Sequence, residues 1–273
     1  MTQASAPARR GTLGLRVLPI FGGRSWRIVE RNFLVYRHGW VVFLTGMLEP
    51  IFYLLSIGIG VGSLVGDFRL DGRAVSYVEF VAPAMLAASA MNGALFDATY
   101  NIFFRMKYAK LYDAMLATPL RPSDVARGEI TWALLRGAAY SAVFIVVMVA
   151  LGLVHSWWML LALPATLLIG FAFAGAGMAL TTWMRSWQDF EFVSLAIMPM
   201  FLFSATFYPL ATYPGAVQEI VRWTPLYQGV ELCRSMALGS MGWHSATAVV
   251  YLAVMGLGGV YVASRRLSIL LLK

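Results

Sequence analysis

The stretch WWMLLALPATLLIGFAFAGAGMALTTW, residues 157–183, decides the fold. It holds no charged side chain, and tryptophans stand at both its ends. At about 1.5 Å of rise per residue, a helix of this length exceeds the roughly 30 Å of a bilayer's hydrocarbon core. Tryptophan settles at membrane–water interfaces, where the ends of such a helix fall. Comparable apolar runs recur at about 39–62, 77–104, 125–153, 190–208 and 243–264. The expected fold class is therefore an all-α polytopic membrane protein with six transmembrane helices.

Composition agrees. Of the 273 residues, 60% are hydrophobic and only 12% are charged, against about 25% in a soluble domain. That is too little charge for a solvated shell. The formal net charge of +8 is not a nucleic-acid signature, because the basic residues sit at the ends of apolar runs. Cys233 is the only cysteine, which excludes an intrachain disulfide and leaves no basis for a cysteine zinc site. Residues 1–23 read as a flexible basic tail without the apolar core of a signal peptide, and 24–273 as one membrane domain.

Before the first span, SWRIVERNFLVYRH (25–38) places Trp26, Val29, Phe33 and Tyr36 at spacings of three and four. This predicts an amphipathic helix along a membrane surface, with Ser25 as N-cap; the alternative is a solvated extension of the first span. With the N-terminus inside, sixteen of the 21 Lys and Arg fall on inner segments and four on outer ones. The positive-inside rule then puts both termini in the cytoplasm, the membrane being the inner one. No inverted repeat relates the two halves.

Soluble-enzyme motifs are missing. None of the lysines, Lys107, Lys110 and Lys273, follows a glycine, so there is no Walker A loop. There is no HExxH or GxSxG either, and no catalytic or metal-binding residue is assigned. The inner loop RMKYAKLYDAMLATPLRPSDVARGE (105–129) is more informative. Tyr108, Leu111, Tyr112 and Met115 predict one apolar face of a short helix that ends at Thr118-Pro119. Ser123 or Asp124 then caps the next span. Such a helix suits docking to a soluble partner, or is an interfacial loop with no partner. On the outer side, short helices at about 216–223 and 227–236, parted by Pro225, suit reentrant segments that dip into the membrane before the last span.

Three ionisable residues lie deep within spans: Glu49, Asp97 and Arg136. At about 1.5 Å per residue all three lie roughly 10–17 Å from the inner end, a depth that permits pairing. Arg136 paired with Glu49 or Asp97 would fix the packing of the first three spans; alternatively the charges line a substrate path or relay protons.

The ordered motifs resemble the ABC type-2 permease family, most nearly its nodulation-protein-J and daunorubicin-resistance branch. They are Leu48-Glu49-Pro50, Tyr77-x-x-Phe80-x-x-Pro83, Leu116-Ala-Thr-Pro-Leu120, Phe203-Ser-Ala-Thr-Phe-Tyr-Pro209, and Trp223-Thr-Pro-Leu-Tyr227 with Arg234. The likeness runs from about Arg24 to the C-terminus. Ala84 and Ala205 depart from it, each standing where the family often has glycine. The resemblance implies a permease subunit of an ATP-driven exporter, itself not an enzyme. Two copies of a separate ABC ATPase would carry ATP and magnesium, and a second permease copy or homologue would complete the complex. It also implies a docking (coupling) helix at Tyr108, Leu111, Tyr112, Asp113, Met115, Thr118 and Pro119. Glu49, Asp97, Arg136, Ser204 and Thr206 become polar path candidates, and Phe207, Tyr208 and Pro209 an outer gate. Membrane lipid and an amphipathic substrate are the remaining partners, with no nucleic acid. The rival reading is a non-transporting scaffold or anchor subunit of another complex.

Overall fold

The computed structural model describes residues 23–37, 40–65, 67–70 and 73–271. The expectations for the tail before Gly23, for His38 and for the Glu49 side chain fall outside what it describes.

The apolar runs become helices. Helix α1 spans Trp26–Tyr36. Helix α2, Trp40–Ser56, continues through a π turn at Ile57–Val61 into α3, Gly62–Val65. Strands β1 (Asp67–Leu70) and β2 (Arg73–Ser76) follow as an antiparallel pair in which Asp67 faces Ser76 and Leu70 faces Arg73. This hairpin is the one departure from the all-α expectation among the described residues. Helix α4, Tyr77–Phe96, runs on through π turns at Asp97–Asn101 and Phe104–Tyr108, past its expected end at 104. The rest are α5 (Leu111–Leu116), α6 (Pro122–Ala150), α7 (Ala162–Thr181), α8 (Phe190–Phe203), α9 (Gly215–Arg222), α10 (Pro225–Leu238) and α11 (Trp243–Leu271). Among the described residues four helices are long and apolar enough to cross a membrane: Tyr77–Tyr108, Pro122–Ala150, Trp157–Thr181 and Trp243–Leu270.

Local chemistry sets the boundaries. At α4 the Ser76 hydroxyl accepts from the Glu79 amide at 3.3 Å, and the Glu79 carboxylate accepts from the Ser76 amide at 2.8 Å. That reciprocal cap satisfies two donors the helix would otherwise leave open. At α6 the helix starts on Pro122, and the Asp124 carboxylate accepts from the Arg121 amide at 3.0 Å. Asp124, not Ser123, therefore makes this cap. Ser25 makes no side-chain cap at α1. Helix α8 stops at Phe203, short of the expected 208. The Ser204 hydroxyl turns back to the Met200 carbonyl, and Ala205 takes a left-handed conformation with φ 53°. An L side chain pays roughly 1–2 kcal/mol there, so alanine in place of glycine is not the neutral change its size suggests.

Helix α4 is the centre of the bundle, buried almost throughout between α6, α7 and α10. Helices α7 and α11 meet backbone to backbone. A Cβ on Gly175 would lie 2.7 Å from the Gly256 carbonyl oxygen, and one on Gly259 would lie 2.3 Å from the Gly175 carbonyl carbon. In membrane helices such close approach replaces the hydrophobic drive that lipid removes. The Gly170–Gly177 run is thus spent on packing inside the chain.

Candidate functional site

One end of the bundle carries α1, α5 and the 105–121 turn. Lys110, with φ 45°, breaks the path between the π turn at Phe104–Tyr108 and α5. That bend rolls α5 inward. Tyr112 and Met115 are buried among Ile28, Met106, Val125, Met178 and Leu267, and Leu111 is half-buried. The expected four-residue face is therefore corrected. Tyr108 belongs to the preceding turn and is 60% exposed, while Tyr112 and Met115 are buried. The outward surface is made by Lys107, Tyr108, Lys110, Asp113, Thr118 and Pro119. The Thr118 hydroxyl donates to the Met115 carbonyl and closes the helix.

Helix α1 is clamped to the base of α6. A Cβ on Gly128 would lie 2.7 Å from Ile28 Cβ and 2.8 Å from the Ser25 carbonyl oxygen, so only glycine admits α1 so closely. The buried face of α1 is Ile28, Val29 and Asn32, whereas Phe33 is exposed. Of the face expected to lie on a membrane surface, Val29 is thus buried against protein, Trp26 and Tyr36 are half-buried, and Phe33 stays exposed. Asn32 Nδ2 donates to Glu129 Oε2 at 3.0 Å. The same oxygen receives Arg105 in a buried ion pair. Arg24 adds a hydrogen bond to the Pro119 carbonyl, which ties α1 to the 105–121 turn directly. Burial, followed by the facing Glu129 carboxylate, pushes the Tyr112 phenol well above its usual range and keeps it a neutral donor. Burial and, next, the neighbouring Arg105 pull Arg31 below the usual arginine range.

Deeper in the bundle, Arg136 meets Asp97 at 2.6 Å, the carboxylate buried and the guanidinium largely so. Asn101 donates to the same Asp97 oxygen. Arg136 also donates to the Tyr36 hydroxyl at 3.2 Å, with its guanidinium 5.4 Å from the Tyr36 ring centre and 5.8 Å from that of Tyr140. The expected pairing of Arg136 with Asp97 is present and joins α4, α6 and the end of α1. A buried pair adds little net stability against an apolar substitute, but losing one partner costs about 3–5 kcal/mol.

At the opposite end, the broken end of α8 is held by Arg234, which the sequence groups with the Trp223–Tyr227 motif. Arg234 is buried; its Nη2 donates to the Ala205 carbonyl at 2.8 Å, and its Nε and Nη2 each lie 3.4 Å from the Phe80 carbonyl. The guanidinium sits 3.8 Å from the Phe80 ring centre, and Glu231 is 3.9 Å away. Ser204 shares a 3.2 Å hydrogen bond with Thr224, whose hydroxyl also accepts from the Tyr227 amide and so caps α10. Thr206 is fully buried, and its hydroxyl has no partner among the described residues. Phe207 packs edge-on against Phe201 at 5.3 Å, Tyr208 is exposed, and Pro209 is half-buried. Arg234 thus holds the backbone of this segment through the Ala205 carbonyl, while Ser204 is held by Thr224 and Phe207 by Phe201.

Glu129, Arg105, Asn32 and Arg234 were not singled out from sequence as site residues. A signal existed for one of them. Asn32 lies three and four residues from Val29 and Ile28, hence on their face.

This architecture is that of a membrane-embedded transporter subunit, and the chain belongs to the ABC-2 type transporter family, which it matches over residues 24–238. It is 34% identical to Nodulation protein J of Rhizobium leguminosarum bv. viciae over 93% of this chain and 99% of that protein. It is 33% identical to Nodulation protein J of Rhizobium meliloti (strain 1021) over 89% of this chain and 93% of the relative. The inner membrane transport permease YadH of Escherichia coli K12 is 22% identical, over 78% of this chain and 82% of that one. The chain is a transmembrane ABC transporter permease. Family membership brings with it an ABC ATPase partner.

Proposed function

We propose that this chain is the permease half of an ATP-driven exporter that moves an amphipathic molecule across the cytoplasmic membrane. The cargo class is a lipid, a glycolipid or lipooligosaccharide, or a hydrophobic drug. The observation that carries the reading is the exposed turn at Lys107–Pro119 seated on a buried cluster, on a chain with no phosphate loop of its own. An ATPase would push on Tyr108, Asp113, Thr118 and Pro119, with Leu111 at the margin and Tyr112 and Met115 as the internal backing. ATP and magnesium belong to two such ATPase chains. Six crossings complete the reading: α2–α3 and α8 join the four long helices, both termini are cytoplasmic, and α9 and α10 dip into the membrane without crossing. The Lys and Arg distribution and the description of the Escherichia coli relative as an inner membrane permease support this placement.

The second permease copy fits the face of α8. That helix is pinned at its start, where Phe190 stacks on Tyr100 at 4.1 Å, and exposes Phe192, Leu195 and Met198 beyond. Asp97 and Arg136 act as structural pins; Ser204, Thr206, Phe207, Tyr208 and Pro209 form the outer gate, held by Arg234. Glu49, whose side chain lies outside the described residues, stays a path candidate. The scaffold alternative has no such use for a gate. Purification from native membranes tests the reading: an ABC ATPase carrying a Walker A motif should accompany the chain, and Asp113→Arg should release it. Recovery without an ATPase sinks the export reading and favours the scaffold.

A further inference from the structure

Two cations without counterions stand where α7 and α11 leave the membrane. At about 1.5 Å per residue, Arg265 and Arg266 of α11 lie roughly 33–35 Å along the helix from Trp243, against about 30 Å of hydrocarbon. Both arginines therefore reach the headgroup level of the leaflet opposite Trp243. Trp183, just past the end of α7, meets them there: the Arg266 guanidinium lies over its ring, 4.7 Å from the centre. Trp183 and Arg265 are exposed, and Arg266 is half-buried. Among the described residues no carboxylate forms an ion pair with either arginine. The buried Nε of Arg266 has no hydrogen-bond partner there either.

A guanidinium held over an indole keeps its in-plane N–H donors for other partners, and that planar fork matches a phosphate. The ring also fixes the side chain in advance, which lowers the entropy lost when an anion arrives. Arg265, about 100° around the helix from Arg266, adds a second cation. About one turn deeper, Leu180 and Tyr261 are exposed, so apolar surface continues from the cations toward the bilayer core. Basic residues between helices at headgroup level select anionic lipids. We propose that Trp183, Arg265 and Arg266 bind the phosphate of an anionic phospholipid whose acyl chains lie along Leu180 and Tyr261. The site requires only that α7 and α11 cross the membrane, and is independent of the export reading.

The test titrates the full-length chain in detergent with phosphatidylglycerol, with phosphatidylcholine of the same acyl chains, and with glycerol phosphate. Bound lipid is counted by native mass spectrometry. Phosphatidylglycerol should bind at least about fivefold more tightly than phosphatidylcholine, the worth of one interfacial cation. Arg265→Gln and Arg266→Gln should each weaken phosphatidylglycerol about fivefold, and together abolish the preference. Trp183→Leu frees the Arg266 fork and should weaken phosphatidylglycerol while sparing phosphatidylcholine. Arg37→Gln removes an exposed cation at the end of α1 and should leave the preference intact. Arg265 is exposed, so its variant should fold and decides the matter even if Arg266→Gln does not. Equal binding of the two lipids, or a full preference surviving Arg265→Gln, overturns the proposal. So does an equal loss in Arg37→Gln, which would mark diffuse charge. Displacement of the lipid by equimolar glycerol phosphate would assign the site to a soluble anion and overturn it too.

Discussion

Replacing Arg136 by methionine keeps much of the side chain's volume and removes the cation from Asp97. The carboxylate then keeps only Asn101, on one oxygen, while its Oδ2 already lacks a partner among the described residues. Breaking a buried pair from one side costs about 3–5 kcal/mol. The loss has a ceiling, because the carboxyl can escape by taking a proton. From an unperturbed value near 3.9, protonation at pH 7 costs about 4 kcal/mol, and at pH 5 about 1.5 kcal/mol. Arg136→Met should therefore destabilise strongly at pH 7 and much less at pH 5. The sign follows from the stranded carboxylate, whose penalty shrinks as protons become available. In thermal unfolding in detergent, read by reagent access to the buried Cys233 thiol, the drop at pH 7 should be on the order of 10 °C. The double variant Asp97→Asn with Arg136→Met should recover most of it. A single variant within about 1 kcal/mol of the parent at pH 7, or a double variant as unstable as the single, refutes the pairing argument. Intact stability with lost transport would assign the pair to the substrate path instead.

Other positions give sharp expectations. Gly259→Val drives a branched side chain into the Gly175 backbone and should cost more than the roughly 1–3 kcal/mol of ordinary overpacking, measured in the same unfolding assay. Ala205→Gly relieves a left-handed alanine and should raise stability by up to about 1 kcal/mol; a decrease would mean the φ of 53° is not a strained one. The Asp189 carboxylate accepts from the backbone amides of Arg185 and Ser186, which holds it below the usual carboxylate range. A depressed group stabilises above its unfolded value and loses that effect as pH falls through the folded one. Amide protection across 185–190, corrected for the intrinsic pH dependence of exchange, should therefore fall only in acid, and Asp189→Asn should abolish that dependence.

The four long helices were legible because twenty apolar residues in a row have few other uses, and the Asp97–Arg136 pair was legible because depth in a helix is simple arithmetic. The interior of the docking element was not. Tyr108, Leu111, Tyr112 and Met115 fit one helical face on paper, but the left-handed Lys110 breaks the axis between the first and the rest. The partner of Asn32 was hidden for a related reason: the buried Glu129 lies on another helix, 97 residues along the chain. Arg234 shows the same blindness in reverse. Its charge reads only as part of the Trp223–Tyr227 motif until a helix broken at Ser204 leaves carbonyls that need a donor.

The central claim is that this permease converts ATP hydrolysis by a partner into movement through its own helices. The direct measurement is vanadate-sensitive ATP hydrolysis by the co-purified complex in liposomes, with and without the permease chain. The account predicts hydrolysis that depends on the permease and that falls when Asp113→Arg disturbs the docking turn. Hydrolysis indifferent to the permease, or no ATPase bound at all, would contradict it.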